Sequence, residues 1–344
     1  MKTKIIIVDV KTANAPVQQK RIESAARIIS RGGLVAFPTE TVYGLGADAF
    51  NARAVRNIFR AKRRPADNPL IVHVSSYSQV KLLSAKIQPS AKKIMKAFWP
   101  GPLTVIVPKS AHVPHCVTAG LLNVAIRMPS HPIALSLIRQ SETPIAAPSA
   151  NIASRPSGTI AAHVISDLSG RIDAIIDGGE AQIGVESTVV DCSGKIPLLL
   201  RPGAITFEQL RKIIPIQKYR QKQHEKPKSP GMKYKHYAPR AQVIVVVGDK
   251  KKVRRRIEKL ILTSKKSVAV LSHMNKYEID SEANGVQNYF ANSLSEFASQ
   301  LFRQYRQFDE SGVATIIVEG CATRGIGLAL MNRIEKSATK IIRN

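Results

Sequence analysis

Short apolar segments alternate with amphipathic segments along most of the chain, and this alternation constrains the fold more than any other feature. The continuous apolar run Leu34–Phe37 is typical of a buried strand. Arg21–Arg31 instead has apolar residues at helical spacing and ends at two glycines. Predicted strands and helices follow one another in this way through residue 212. The order predicts an α/β domain built on one twisted open sheet.

The segment 213–240 interrupts this alternation. It is polar, basic and interrupted by prolines, a composition typical of a linker. Its second half also contains Tyr234, His236 and Tyr237, which a simple spacer does not need. The alternation resumes at residue 241. We therefore predict an α/β domain over residues 1–212, a linker or lid over 213–240, and a small open-sheet domain over 241–344.

The chain is strongly basic, with 52 Lys and Arg against 24 Asp and Glu and a formal net charge of +28. A polyanionic partner such as ATP or RNA would explain this charge, and so would a general enrichment of Lys and Arg on solvated surfaces. The three cysteines are scattered and form no CxxC pair, which predicts neither a disulfide framework nor a zinc site. We find no apolar stretch of membrane-spanning length and no signal peptide, and we expect a cytoplasmic protein without membrane contact.

Several clusters of turn residues and polar side chains follow the predicted strands of the first domain. Ligands in open α/β sheets bind beyond the carboxyl ends of strands, so these clusters are candidate sites. The first is PTETVYGLG at residues 38–46, directly after a buried strand. The second contains Lys62 and Arg64, which would share one side of an extended backbone and could face a phosphate chain. They could equally be the basic end of the preceding helix.

Arg127 lies inside an apolar strand, where an unpaired charge is costly. Its partner could be an internal carboxylate or the carboxylate of a substrate, and we favour the substrate. His73 also lies in an apolar strand, where a buried structural histidine is the default interpretation. Further polar groups occur in two clusters, APSAN at 147–151 and EST at 186–188. In both, small hydroxyls could bind a ligand or cap a turn.

The chain contains no P-loop, and no GxGxxG follows a strand and opens a helix. It also shows no Ser-His-Asp pattern. The candidate groups are cations and hydroxyls, which predicts charge stabilisation and not covalent catalysis.

Taken together, these motifs resemble a known family. PTETVYGLG, KRRPADNPLIVH, WPGPLT, VAIRMP, APSAN, ESTVVD and LLRPGAI occur here in the order seen in the YrdC-like domain, over roughly residues 15–212. SPGMKYKHYAP at 229–239 and the terminal GIGLALMNRIEKSA are similar to the linker and C-terminal domain of the long, two-domain threonylcarbamoyl-AMP synthases. The resemblance therefore spans nearly the whole chain.

The resemblance implies a YrdC-like twisted open sheet with a large cationic cavity, followed by a small Rossmann-like domain. It implies L-threonylcarbamoyladenylate synthase activity: L-threonine, bicarbonate and ATP would give threonylcarbamoyl-AMP and pyrophosphate. The product would serve tRNA threonylcarbamoyladenosine modification. Mg²⁺ would accompany ATP, with no metal held by protein side chains. A downstream threonylcarbamoyl transferase and a weak tRNA contact are the implied partners.

The resemblance also implies roles for individual residues. Lys62 and Arg64 would be catalytic. The linker residues would fold over the cavity and contact ATP. The implied threonine contacts are Thr41, His73, Arg127, Ala147 and Ser187, and the implied ATP contacts are Lys62, Arg64, Asn68, Ser149, Asn151, Ser157, Arg201, Tyr234, His236 and Tyr237.

Two other interpretations remain open at this stage. An RNA-binding module without ATP turnover would use the same basic charge, but aromatic residues make up only 5% of the chain, too few for a base-stacking platform. A carbamoyl transferase built on the same domain would need extra segments, including zinc ligands that unpaired cysteines do not supply.

Overall fold

The computed structural model describes residues 2–219, 237–277 and 286–343. The chain divides into two compact units. Unit 1 comprises Met1–Ala153 and Ser157–Tyr234, and unit 2 comprises Ser154–Pro156 and Lys235–Asn344. Most of the predicted linker lies outside the described residues, so its role as a lid stays a prediction.

An eleven-stranded sheet forms the centre of unit 1 in the described ranges. Parallel and antiparallel neighbours are mixed in the order β1-β8-β2-β3-β7-β4-β6-β5-β9-β10-β11. This arrangement confirms the predicted α/β open sheet. The strands are β1 Lys4–Ile7, β2 Val35–Phe37, β3 Gly44–Asp48, β4 Ile71–His73, β5 Leu103–Pro108, β6 Asn123–Arg127, β7 Ile145–Ala146, β8 Ala174–Asp177, β9 Thr188–Asp191, β10 Leu198–Arg201 and β11 Gln217–Lys218.

Helices connect these strands and cover the sheet. The helix that leads to the candidate site begins at Asn51, whose side chain accepts hydrogen bonds from the backbone N–H groups of Arg53 and Ala54. It ends at Arg63, which has a left-handed backbone with φ 52°. The helices of unit 1 are α1 Pro16–Ser30, α2 Ala52–Lys62, α3 Tyr77–Leu83, α4 Pro89–Phe98, α5 His115–Thr118, α6 Pro132–Gln140, α7 Ala161–Leu168 and α8 Phe207–Arg211, with a 3-10 turn at Val10–Thr12.

The segment after β2 turns back into a strand. β3 pairs antiparallel with β2, so residues 38–43 join two strands and do not lead directly into a helix. Gly46 allows close packing at this point, because a Cβ atom there would lie 2.6 Å from Ile145 Cγ2 and 2.8 Å from the ring of Phe37. The short hairpin holds the loop 38–43 against the end of the sheet.

Unit 2 contains a second sheet whose five strands, in the described ranges, are all parallel. Their order is β14-β13-β15-β12-β16, which differs from the usual Rossmann order because β15 lies between β12 and β13. No helix in the described ranges has the length and apolarity needed to cross a membrane. The elements are β12 Gln242–Val247, α9 Lys250–Thr263, β13 Val268–Ser272, β14 Gln287–Phe290, α10 Leu294–Glu310, β15 Thr315–Glu319, α11 Ile326–Ser337 and β16 Lys340–Arg343.

Candidate active site

Three neighbouring strands of unit 1 place His73, Arg127 and Thr104 side by side. His73 in β4 is the Cα partner of Arg127 in β6, and Arg127 is the Cα partner of Thr104 in β5. Partners in neighbouring strands project their side chains to the same face of a sheet. All three residues are buried. The sheet therefore carries a row of polar side chains through an otherwise apolar interior.

Two residues of the loop after β2 hold the Arg127 guanidinium. Glu40 forms an ion pair with it at 2.7 Å, and Arg127 Nη1 donates to Thr41 Oγ1 at 2.9 Å. Both members of the ion pair are buried, with side chains only 4% and 6% exposed. Glu40 is therefore an internal partner of Arg127, and the expectation that a substrate carboxylate also binds there stays a prediction. A substrate carboxylate would have to share Arg127 with Glu40 or replace it.

Two buried histidines beside this ion pair are uncharged at neutral pH. Burial, together with the nearby charge of Arg127, lowers the pKa of His73 to about 3. Burial lowers the pKa of His131 to about 4, although the Glu40 carboxylate has the opposite effect. The positive charge at this point therefore belongs to Arg127, and the imidazoles add only neutral hydrogen-bonding groups.

The polar row continues through Ser187 to Arg201. The hydroxyls of Thr104 and Ser187 lie 2.7 Å apart. Arg201 donates from Nε to the Ser187 carbonyl and from Nη2 to the Ser187 hydroxyl, both at 3.1 Å. Next to Ser187, the Glu186 carboxylate accepts a 2.6 Å hydrogen bond from the hydroxyl of Ser157. Arg201 is 5% exposed, so this second cation is also held inside the unit.

Lys62 and Arg64 do not lie on an extended segment. Lys62 is the last residue of α2 and Arg63 is left-handed, so the prediction that the two cations share one side of a strand is wrong. Lys62 Nζ donates to the carbonyl oxygens of Ser149 and Asn151, and the residue is only 1% exposed. Arg64 Nη2 donates to the carbonyls of residues 68 and 69, each at 3.3 Å. Each cation thus orders a neighbouring loop.

The loop 147–151 lies against the hairpin that contains Thr41. Ser149 forms an isolated bridge with Gly44, and Ala150 N donates to the Tyr43 carbonyl at 2.7 Å. Ala147 N donates to the carbonyl of Ile71 in β4. Thr41, which is assigned to threonine, and Ser149 and Asn151, which are assigned to ATP, therefore lie on adjoining loops of unit 1. The hydrogen bonds and strand pairings above connect these predicted site residues: Thr41, Lys62, His73, Arg127, Ala147, Ser149, Asn151, Ser157, Ser187 and Arg201.

Three parts of the predicted site stay predictions. Tyr234 and His236 lie outside the described residues. The ring of Tyr237 is buried in unit 2, where it stacks on Phe302 with a centroid distance of 5.1 Å, and its contact with ATP stays a prediction. The large cationic cavity at this site also stays a prediction. A groove of about 600 Å³ elsewhere in unit 1 is lined by none of the predicted site residues.

Thr104 and His131 are site residues that the sequence pattern did not indicate, and Glu186 was indicated only as part of the cluster 186–188. Thr104 could have been recognised from the sequence, because it is a polar residue inside the apolar segment LTVIVP. Arg127 lies inside the apolar segment VAIR in the same way. His131 follows the second of these strands by a few residues but precedes a helix, where a histidine attracts no notice. Its proximity to Glu40 depends on the tertiary fold.

The site contains cations, hydroxyls and amides. In the described parts of the chain, no group of three or more His, Cys, Asp or Glu side chains is placed to hold a metal ion. Guanidinium and hydroxyl groups donate hydrogen bonds, which suits carboxylate and phosphate oxygens. The donor set therefore fits anionic ligands, including phosphates that would bring their own counter-ion.

The site lies at the strand ends of an open α/β sheet, is buried, and offers hydrogen-bond donors suited to anions. These features are those of an α/β protein that binds a small ligand. Comparison with known proteins narrows this class. A family model described as "Telomere recombination" (Sua5_yciO_yrdC) matches residues 27–203, and one described as "Threonylcarbamoyl-AMP synthase, C-terminal domain" matches 205–339.

The relatives cover nearly the full chain. "Threonylcarbamoyl-AMP synthase" from Pyrococcus abyssi is 49% identical over 94% of this chain and 95% of its own length. The Bacillus subtilis relative of the same name is 48% identical over 98% of both chains. A solved structure described as P. abyssi Sua5 complexed with L-threonine matches with a TM-score of 0.93 and 48% identity, over 99% of this chain and all of the other. The chain belongs to the threonylcarbamoyl-AMP synthase family, which confirms the resemblance.

Proposed function

We propose that this protein is an L-threonylcarbamoyladenylate synthase, a nucleotidyltransferase that uses L-threonine, bicarbonate and ATP. Relatives at 48–49% identity carry the corresponding name, and the similar P. abyssi structure is described as a threonine complex. The alternative of an RNA-binding module without ATP turnover receives no support from these relatives. The observation that carries the proposal is the buried Arg127, which binds both Glu40 and Thr41 on the loop that joins β2 and β3.

The threonine pocket would be built around the polar row of the sheet. Arg127 would bind the carboxylate with its planar guanidinium. The hydroxyl of Thr41 and the neutral imidazole of His73 offer uncharged partners for the amine or the side-chain hydroxyl of the substrate. Ala147 and Ser187 would complete the pocket, because one follows β7 next to β4 and the other bonds to Thr104.

The nucleotide would lie along the adjoining loops. Lys62 and Arg64 would neutralise phosphate charge, and Arg201 would contribute a third cation from the Ser187 side. Hydroxyl and amide groups of Asn68, Ser149, Asn151 and Ser157 would bind phosphate or ribose oxygens. Mg²⁺ would enter as the counter-ion of ATP, held by phosphate oxygens. The linker residues Tyr234, His236 and Tyr237 would limit the access of water.

The reaction divides into two bond-forming steps. The neutral amine of threonine attacks the carbon of bicarbonate, a C–N bond forms, and water leaves to give a carbamate. A carbamate oxygen then attacks the α-phosphorus of ATP, and the bond to the β-phosphate oxygen breaks. The products are threonylcarbamoyl-AMP and pyrophosphate, and the first is the substrate for a downstream threonylcarbamoyl transferase acting on tRNA.

The main obstacle to the second step is repulsion between two anions. Two unit charges 4 Å apart repel by about 4 kcal/mol at an effective dielectric constant of 20. The cations of the site would offset this repulsion. Hydrogen bonds and an ion pair already hold these cations in place, so their side chains would reorganise little during the reaction. Binding the amino acid and the nucleotide on adjoining loops would also make their reaction effectively unimolecular.

The direct test is incubation of the purified chain with labelled threonine, bicarbonate and ATP. The expected result is pyrophosphate release together with a labelled, AMP-linked product, each dependent on all three substrates. Pyrophosphate release without threonine, or no product despite a folded protein, would contradict the proposal. A variant with Arg139→Ala, an exposed arginine on α6, serves as a control for the loss of one positive charge.

A further inference from the structure

The buried ion pair of Arg127 and Glu40 leaves much of its hydrogen-bonding capacity unused. Arg127 Nη1 donates to the Thr41 hydroxyl at 2.9 Å, but Nε and Nη2 are buried and donate no hydrogen bond within the described residues. Both carboxylate oxygens of Glu40 are buried and accept none there, although Oε1 lies 2.7 Å from Arg127 Nη2. Buried polar atoms in native proteins nearly all have hydrogen-bond partners, so four such atoms in one place require an explanation.

The unused atoms of Arg127 are arranged for a carboxylate. Nε and Nη2 form one edge of the planar guanidinium, and a carboxylate binds such an edge through two parallel hydrogen bonds. The remaining nitrogen, Nη1, is already held by Thr41. A substrate carboxylate on Arg127 therefore takes the edge that Glu40 Oε1 now contacts. Glu40 is then left without the positive charge that it faces in the chain.

The backbone of the loop keeps Glu40 at this place. The Glu40 carbonyl accepts a hydrogen bond from Ile183 N at 2.9 Å, and the Thr41 carbonyl accepts one from Gly184 N at 3.0 Å. The Glu40 side chain is only 6% exposed, so water does not replace the lost partner. A carboxylate that binds to Arg127 thus leaves a second, buried carboxylate beside it.

Charge balance favours a zwitterion as the ligand. A simple carboxylate added to Arg127 and Glu40 puts two buried negative charges against one positive charge, which is costly. An amino acid also brings an ammonium, attached to the same carbon as its carboxylate, and this ammonium restores the balance beside Glu40. The neighbouring imidazoles do not supply that charge, because burial lowers the pKa of His73 to about 3 and the pKa of His131 to about 4.

We propose that Glu40 binds the α-ammonium of threonine and is the base that removes its proton, an inference that rests on the synthase function proposed above. The N–H bond breaks, its electron pair stays on nitrogen, and the proton goes to a carboxylate oxygen of Glu40. This transfer converts two buried charges into two neutral groups, which a poorly solvated site favours.

The neutral amine then attacks the carbon of bicarbonate. A second proton from nitrogen leaves with the bicarbonate hydroxyl as water, and the carbamate forms. Glu40 keeps the first proton until the product has left. Glu40 therefore acts in the first of the two bond-forming steps, before the phosphate groups of ATP react.

The first test measures a preference between two ligands. L-Threonine and its 2-hydroxy analogue, in which a hydroxyl replaces the ammonium, share the carboxylate and the side chain. Calorimetric titration gives both Kd values for the unaltered protein and for Glu40→Gln. We expect the unaltered protein to prefer threonine by at least about tenfold, and the preference of the variant to be at least about tenfold smaller. The ratio is the useful quantity, because loss of Glu40 also frees Arg127 for the carboxylate of either ligand.

The second test measures pyrophosphate release from threonine, bicarbonate and ATP. General base catalysis contributes about 10²–10⁴-fold, so Glu40→Gln should lower kcat by at least about 100-fold. The loss should be smaller at about pH 9 than at about pH 7, because more threonine in solution then has a neutral amine. Glu40→Asp should recover part of kcat, since it keeps a carboxylate. Glu142→Gln, at an exposed glutamate of unit 1, is the control and should keep the unaltered rate.

A purely structural role of Glu40 predicts different results. The preference for threonine would then be the same in Glu40→Gln, and kcat would fall by the same factor at both pH values; either result overturns the proposal. If Glu40→Gln does not fold, Glu40→Asp takes its place in both measurements, and a preference below tenfold in the unaltered protein overturns the proposal without any variant.

The two tests also separate this inference from the proposed function. If the unaltered protein releases no pyrophosphate but Glu40→Gln reduces the preference for threonine, the synthase proposal fails and the ammonium contact stands. If the unaltered protein is active and Glu40→Gln changes neither the preference nor kcat, this inference alone is overturned.

Discussion

Replacement of Arg127 by methionine tests both its structural role and its role in binding. Arg127→Met leaves the buried Glu40 carboxylate without its ion-pair partner, which lies at 2.7 Å. Breaking a buried ion pair from one side costs about 3–5 kcal/mol of folding free energy. We therefore expect the free energy of unfolding of unit 1 to fall by about that amount. Trp99, the single tryptophan, lies in unit 1 and reports its unfolding by fluorescence during urea titration.

The double variant Arg127→Met with Glu40→Gln removes the uncompensated charge. Replacing both members of a buried pair by neutral groups is often close to neutral for stability, so most of the loss should be recovered. Threonine binding should not be recovered, because the cation proposed to receive its carboxylate is still absent. A hydrogen bond to a charged group contributes about 1.5–3 kcal/mol, so the threonine Kd should rise about 10- to 150-fold.

Calorimetric titration with L-threonine measures this Kd for the unaltered protein and the two variants. The single variant Glu40→Gln is the matched control, since it keeps the guanidinium and its hydrogen bond to Thr41. If the double variant unfolds like the unaltered protein and also binds threonine with unaltered affinity, Arg127 is a structural residue only. A role of the buried guanidinium in binding the substrate carboxylate would then be refuted.

Three further predictions concern other parts of unit 1. Lys62→Met should reduce pyrophosphate release by at least tenfold, the equivalent of about 1.4 kcal/mol, because phosphate charge loses a cation and the carbonyls that Lys62 holds lose their donor. Gly203→Ala should lower the free energy of unfolding by about 1–3 kcal/mol in urea titration, because its Cβ would lie 2.3 Å from Thr188 N. Gly194→Ala, with nothing within 4 Å, is its control and should leave stability nearly unchanged. Because the folded pKa of His131, about 4, lies below its ordinary 6.5, stability should be complete above pH 6.5 and decrease as pH falls towards 4. His131 alone should contribute up to about 1.4 kcal/mol per pH unit to the slope, and His131→Gln should remove this contribution in the same titration.

Much of the sheet could be predicted because long apolar runs mark its buried strands. The sequence pattern predicts a buried strand at Leu34–Phe37, and β2 covers Val35–Phe37. The strand β3 was not predicted, because Gly44-Leu45-Gly46 has the composition of a turn. Those glycines are needed in a strand here, since the ring of Phe37 occupies the space beside Gly46. Local propensity could not show this, because Phe37 comes from the neighbouring strand.

The residues of the candidate site could be predicted more readily than their connections. Arg127 was recognisable as a charge in an apolar strand, but its pairing with Glu40 depends on contact between this strand and the loop that joins β2 and β3. Lys62 was recognisable as the basic end of a helix, but the carbonyls of Ser149 and Asn151 that it binds belong to a loop distant in sequence. The general rule is that residue types signal chemistry, whereas partner choice follows from contacts between segments distant in sequence.

The internal partner of Arg127 also has a consequence for ligand binding. A guanidinium left alone in an apolar interior would be destabilising, and Glu40 supplies its counter-charge from within the chain. If a substrate carboxylate binds to Arg127 as proposed, it brings a second anion towards the same cation. The substrate must therefore either displace Glu40 or gain enough from Thr41 and His73 to coexist with it. Selectivity for an amino acid over a simple carboxylate follows in either case, because a ligand with only one anchoring group would not offset this competition.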